Sequence, residues 1–265
     1  MAQKPSLFKR GIHRLMALDL KDRPIQTEEI PLSCPGLPAA FEGARVAVVA
    51  DLHLPDRLVS AARLLECLKQ VQPDAIFLPG DLTNSYTSFA DAELRCLAEA
   101  LVKIAPCFAT PGNHEWRLER EPLYRAILTK AGVHYLCDNS AVWEKDGATL
   151  RLWGAGLADE DAPHIPTATE HPAILLAHHP EYLTAYAQAG WDLVVCGHAH
   201  GGHVRVGNRA LFSPDQGFFP KYTGGVHRVG ATQMVVSRGL GNSSLPWRLN
   251  NPPHLPILVL SAQEK

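Results

Sequence analysis

The sequence predicts an α/β layered fold with two sheets and with functional side chains at the carboxyl ends of its strands. In the first half, a buried apolar run, a short polar loop and an amphipathic helix follow one another repeatedly. That order builds a helix-covered sheet with ligands at strand ends. In the second half, short β-type runs are separated by Asp-Asn and Asp-Gly turns, and two sheets accommodate them better than one. The 265 residues, 46% of them apolar, suffice for one sizeable core.

Residues 5–20 put Phe8, Ile12, Leu15 and Met16 on one helical face, flanked by Lys9, Arg10 and Arg14. The run reads either as a helix lying on a membrane surface or as a short helix docked on its own domain. Its shortness and Gly11 favour the second. The chain accordingly divides into a basic amphipathic segment, 1–24, and a single domain, 25–265. A Pro-rich connection follows, with 28–32 as an edge strand.

Residues 45–50 are β-branched and unbroken in their apolar character, the mark of a strand buried on both faces. They end in Asp51-Leu52-His53. A helix over 60–72 aligns Leu64, Leu65 and Leu68, and Pro73 stops it. A second strand, 75–78, runs into Pro79-Gly80-Asp81, and a second helix covers 90–104. A third strand, 107–110, runs into Gly112-Asn113-His114-Glu115, and a third helix covers 121–131. Short strands are expected at 134–137, 141–145 and 150–153, then a polar loop over 159–170. A buried strand at 173–177 delivers His178, and a helix covers 182–189. The strand 193–196 opens into Gly197-His198-Ala199-His200. Further strands are expected at 204–206, 225–229, 232–237 and 257–260.

Composition removes several functions. The formal charge of -2 gives no support to bulk nucleic-acid binding. Six cysteines carry no C-x-x-C pair and several lie in apolar runs, Cys196 among them. They read as free thiols in a reducing compartment. No stretch is long and apolar enough to span a bilayer. The early L-M-A-L run is cut short by Asp19, against a secretion signal. A cytoplasmic protein is expected, with peripheral membrane-surface association left open through residues 1–24. Thirteen histidines exceed what packing requires.

Each strand-end motif alone has a bland reading. D-x-H is often a turn with a surface histidine, G-D a turn or cap, and G-N-H-E a capping turn. Together they set Asp51, His53, Asp81, Asn113, His114, His178, His198 and His200 at five strand ends. The bland reading needs five coincidences in one structural setting. Carboxylate, amide and imidazole donors without a thiolate suit Mn, Fe or Zn.

In this order the set resembles the calcineurin-like metallophosphoesterase superfamily, whose motifs are D-x-H, G-D-x-x-[DN], G-N-H-[DE], a lone H and G-H-x-H. All are present, and the resemblance spans roughly residues 28–260. Within the superfamily the chain is similar to the YkuE/YaeI-type phosphodiesterase branch. The lead-in E-I-P-L-S-C-P-G-L-P-A-A-F-E-G, the loop G-H-A-H-G-G, F-P-K-Y-T-G-G-V-H and S-R-G-L-G-N-S-S-L-P-W-R carry that similarity. Two positions depart from the branch: Pro55 stands where many relatives have Gly, and His203 where Gln is expected. Both bear on the substrate rim.

The resemblance implies a four-layer αββα sandwich, two mixed sheets flanked by helices, with a dinuclear metal site at the strand C-terminal ends. It assigns Asp51, His53, Asp81 and His200 to one divalent metal ion, and Asp81, Asn113, His178 and His198 to the other. Asp81 would bridge. It implies hydrolysis of a phosphodiester or pyrophosphate by a metal-bridging hydroxide, since water on two cations loses its proton far below its bulk pKa of about 15.7. His114 would protonate the leaving oxygen or stabilise developing charge. Asn84 would orient the Asp81 loop.

Substrate contacts are open. His203 and His227 are candidates, and His179 adjoins a ligand. Arg205, Lys221, Arg238 and Arg248 are candidates for substrate phosphate. Phe218, Phe219, Tyr222 and Trp247 form either an apolar wall or packing under the C-terminal loops. His13, His134, His164, His171 and His254 read as ordinary histidines. A lipid-linked nucleotide diphosphate is one candidate substrate, and manganese one candidate metal. The competing functions are a non-catalytic metal-binding interaction scaffold and a nuclease. The complete motif set weighs against the first, and the charge balance against the second.

Overall fold

The structure is a computed structural model that describes residues 24–262, apart from 56–57, 86–89, 160–161, 208, 214–215 and 243–247. The amphipathic run 5–20, His13 and Trp247 therefore lie outside the described residues.

Alternation along the buried strands decides the layering, because successive side chains leave a strand on opposite faces. In the strands Arg45–Val48 and Ala75–Pro79, Val46, Val48, Ala75 and Phe77 face one apolar cluster, and Ala47, Ile76 and Leu78 face another. In Ile174–Leu176 and Leu193–Cys196, Ile174, Leu176, Leu193 and Val195 join that first cluster, while Leu175, Val194 and Cys196 face a third. The shared cluster is thus the interior between two sheets. Helices close the outer faces. Leu64 and Leu68 of Ala61–Val71, Leu94 and Leu97 of Asp91–Leu101, and Tyr124 and Leu128 of Glu121–Ala131 cover the first sheet. Leu183 and Tyr186 of Leu183–Gln188 cover the second. Each buried leucine contributes about 1.5–3 kcal/mol relative to exposure. The result is the helix–sheet–sheet–helix order expected from the resemblance.

Both sheets are six-stranded and mixed. The first runs Gln26–Ser33, His254–Ser261, Arg45–Val48, Ala75–Pro79, Cys107–Thr110, His134–Tyr135. The pairing of His254–Ser261 with Arg45–Val48 is its antiparallel one. The second runs Gly225–Val229, Thr232–Val236, Leu193–Cys196, Ile174–Leu176, Ala148–Gly154, Asn139–Lys145, antiparallel at its two ends. The expected edge strand near residue 28 is indeed an edge, parallel to His254–Ser261.

Three expectations need correction. The loop over 159–170 carries a hairpin, Gly156–Asp159 with Ala162–His164, whose register slips at Leu157/Asp159. Pro163 is tolerated because such a short ribbon asks little of its ladder. A three-stranded sheet of Val204–Val206, Arg209–Ser213 and Gly217–Phe218 follows the His198–His200 loop, where only the first strand is expected. Its other strands are too short and turn-bound to show alternation. The helix after His178 begins as a single 3-10 turn, Pro180–Tyr182, before Leu183–Gln188.

Candidate metal centre

The strands that end at the centre come from both sheets. Arg45–Val48, Ala75–Pro79 and Cys107–Thr110 of the first deliver Asp51 and His53, Asp81, and Asn113 with His114. Ile174–Leu176 and Leu193–Cys196 of the second deliver His178, and His198 with His200. Asn113 and His114 open a short helix, Asn113–Trp116. All eight residues are at most 6% exposed.

Five of these residues have left-handed backbones: Asp51 (φ 51°), His53 (φ 53°), Asp81 (φ 53°), His198 (φ 72°) and His200 (φ 47°). Such conformations are uncommon for residues with a side chain and cost on the order of 1–3 kcal/mol each. The surrounding backbone holds them. The Asp51 amide donates to Gly80 O (3.2 Å), the His53 amide to Asp81 O (3.1 Å), and the Gly241 amide to Asp51 O (2.7 Å). Glycines permit the approach. A Cβ on Gly80 would stand 2.6 Å from His178 Nδ1, and one on Gly239 2.7 Å from Asp51 Cβ.

The donors form two clusters that share one carboxylate. Ligand-type atoms of Asp51, His53, Asp81 and His200 lie within 4.8 Å of one another, and so do those of Asp81, His178 and His198. Nε2 of His53 and Nε2 of His200 converge to 2.9 Å, with Asp81 Oδ2 3.7 Å from the former. Nε2 of His178 lies 3.1 Å from Asp81 Oδ2 and 3.1 Å from Asn113 Oδ1. The structure thus brings together every residue that the motifs nominate as a metal ligand.

The residues fit divalent cations on three counts. His178 Nδ1 lies 2.8 Å from Pro79 O, which can only accept, so Nδ1 carries the proton. The Nε2 lone pair then faces two oxygen acceptors, an arrangement that demands a cation between them. In the metal-free chain a proton takes that place. Burial pushes His178 down, but attraction to Asp81, their hydrogen bond and Asp51 outweigh it and raise it to about 10. Second, Asp51 Oδ2 is buried without a hydrogen-bond partner among the described residues. Third, burial raises the Asp51 carboxyl to about 7, the response of a carboxylate deprived of a counter-charge. Burial also holds His53 and His198 down to about 3, so their rings are neutral and able to ligate.

His114 sits beside this set, its ring edge-on to His53 at 4.5 Å between centroids. The Ser85 amide donates to His114 Nδ1 (3.0 Å), so the neutral ring carries its proton on Nε2. Burial lowers its pKa. A neutral ring in that tautomer presents Nε2–H as a hydrogen-bond donor. The backbone N–H of His114 donates to Asp81 Oδ1 at 2.9 Å.

Glu115 is the residue beside the centre to which the motif reading gives no role. Fully buried, it accepts from the amides of Asp81, Thr83 and Gly112 and from Thr83 Oγ1, each at 2.9 Å. It ties the Asp81 loop to the Asn113 helix. The Asn84 backbone donates to Leu54 O and accepts from Arg120 beside it. The available signal is a Glu three residues past a helix-opening glycine, where a capping carboxylate reaches back.

Other candidates lie elsewhere. His203 is fully buried, its ring stacked on His200 at 5.9 Å, rather than at an exposed rim. His227 packs on Tyr222 at 5.0 Å, on an edge strand. Arg248 is buried and donates to the carbonyls of Arg238, Gly239 and Gly241. Arg205 donates to Gly201 O and Thr223 Oγ1, and Arg238 to Gln26. Lys221 lies over the Tyr222 ring. Phe218 and Phe219 are exposed, whereas Tyr222 packs on the third cluster. His164, His171 and His254 pair with Asp138, Asp192 and Glu28, and His134 stacks on Phe108. Among the described residues the cysteines are free, and no helix is long and apolar enough to cross a membrane.

Residues 44–202 match the family model described as calcineurin-like phosphoesterase. Phosphodiesterase YaeI of Escherichia coli is 30% identical over 82% of this chain and 82% of its own. The metallophosphoesterase YkuE of Bacillus subtilis is 24% identical over 92% of this chain and 88% of its own. A 5'-nucleotidase precursor from Thermus thermophilus superposes with a TM-score of 0.51 at 15% identity. It covers 75% of this chain and 49% of the other, a likeness of fold.

Proposed function

The chain belongs to the calcineurin-like phosphoesterase family and is a metal-dependent phosphoric ester hydrolase, and we propose that its centre holds two divalent cations that act on a phosphodiester or pyrophosphate bond. The observation that carries this is Asp81, common to both donor clusters. One buried carboxylate held by two loops would offset the repulsion between two cations that share it. Asp51, His53 and His200 complete one cluster; Asn113, His178 and His198 complete the other. The nitrogen and oxygen donors suit Mn, Fe or Zn.

When bound, such a pair lowers the pKa of coordinated water and offsets charge on phosphoryl oxygens. The chain supplies the rest. Pro79 O fixes the tautomer of His178, and Asp51 Oδ1 accepts from the His198 amide at 2.8 Å, locking two loops together. Ser85 fixes the His114 tautomer so that Nε2–H is the donor. His114 therefore acts as a neutral hydrogen-bond donor to the oxygen that gains charge, a role worth roughly 10²–10³ in turnover.

Metal-stripped protein reconstituted with Mn, Fe or Zn tests this on bis-p-nitrophenyl phosphate, p-nitrophenyl phosphate and a UDP-sugar. Activity should require two equivalents and favour the diester or pyrophosphate. His114→Ala should keep both equivalents and lose turnover. Full activity at one equivalent would overturn the dinuclear reading. Full activity of His114→Ala would remove His114 from the reaction. No hydrolysis with any metal would favour a scaffold.

A further inference from the structure

His179 adjoins the centre but belongs to neither inner cluster. Its ring is 1% exposed, and neither ring nitrogen has a hydrogen-bond partner among the described residues. Buried polar atoms in native proteins are ordinarily satisfied, and an exception marks a place for an ordered water or an ion. The ring packs 4.5 Å from His198 and 5.1 Å from His178, centroid to centroid. The Tyr186 hydroxyl donates to His179 O at 2.8 Å and fixes the backbone there. Two residues on, the 3-10 turn Pro180–Tyr182 carries Glu181. A ring nitrogen of His179, a carboxylate oxygen of Glu181 and a ring nitrogen of His198 lie within 4.8 Å of one another. Two imidazoles and one carboxylate form a known zinc donor set that leaves a fourth position for water.

We propose that His179, Glu181 and His198 form an outer divalent-cation site, suited to zinc, that inhibits the enzyme when it fills. Nε2 of His198 faces Glu181 Oε1 at 4.0 Å. Coordination at about 2.0–2.2 Å needs these donors somewhat closer. The Glu181 side chain is 36% exposed, so it can close, and it opens a path from solvent. A neutral imidazole offers one lone pair at nitrogen. His198 therefore serves the outer cation or the inner one. Filling the outer site leaves the inner cation with Asp81, Asn113 and His178. The inhibition rests on the phosphoesterase reading; the outer site does not.

The test titrates protein loaded with two equivalents of zinc with further zinc, following heat and bis-p-nitrophenyl phosphate hydrolysis together. Wild type should show a third binding event, with hydrolysis falling as it saturates. His179→Gln and Glu181→Gln should each weaken that event and raise the inhibitory zinc concentration at least about ten-fold, with activity at two equivalents unchanged. Asp81→Asn removes the shared inner carboxylate and should keep the outer event, so the site is read even if the dinuclear reading fails. Absence of the event in wild type, or equal zinc binding and inhibition in wild type and both variants, would overturn the proposal.

Discussion

Replacing Glu115 tests whether one buried carboxylate holds the halves of the centre in register. Its Oε2 accepts from the Asp81 and Gly112 amides, and its Oε1 from the Thr83 amide and hydroxyl. Glu115→Ala strands three buried backbone donors. Each costs about 1–3 kcal/mol, and they are too close together to add in full. The expected loss is about 3–5 kcal/mol. Glu115→Gln is milder for a geometric reason. Its NH₂ opposes two donors in either flip, but on the Thr83 side the hydroxyl can turn and accept. One backbone bond is then lost, at about 1–3 kcal/mol. Burial and the nearby Asp81 raise Glu115 to about 7, so removing its charge returns part of that. Urea unfolding of the metal-free proteins gives the stabilities, and dialysis gives metal affinity, which should fall about 10–100-fold in the Ala variant. If Glu115→Ala lies within about 0.5 kcal/mol of wild type, the ordinary range for surface changes, the bracing role is wrong.

Metal uptake should release protons. At pH 7 the metal-free chain carries a proton on His178, raised to about 10, and about half a proton on Asp51, raised to about 7. Both must be deprotonated to ligate, so lowering the pH favours the proton over the cation. Calorimetric titration at pH 7 in buffers of different ionisation enthalpy should give between one and two protons; none would refute the assignment. Gly112→Ala should destabilise by about 1–3 kcal/mol through overpacking. A Cβ there would press on the Asp81 carboxylate, its Cγ 2.8 Å away. Metal binding should weaken in parallel, measured by unfolding and dialysis.

The ligand-type residues were legible because each follows an unbroken apolar run, a local pattern. So was the layering, since alternation in residues such as Val46/Ala47 and Val194/Val195 is local too. Glu115 was not. Its motif position is visible, but the donors it satisfies at Asp81 and Thr83 are 34 and 32 residues away. Arg248 looks like any basic residue until its guanidinium is found spent on buried carbonyls.

By itself, then, the sequence determined which side chains stand at strand ends and which faces of the strands are apolar. Periods of two and of 3.6 residues record burial, and glycines record tight turns. The tertiary structure alone decided how those ends meet. Asp51 reaches the His198 amide across 147 residues, and His178 reaches Pro79 O across 99. Left-handed backbones at five of the donor residues aim their side chains inward. No local preference favours that conformation for Asp or His strongly enough to announce it. It persists because packing and hydrogen bonds from both sheets hold it there.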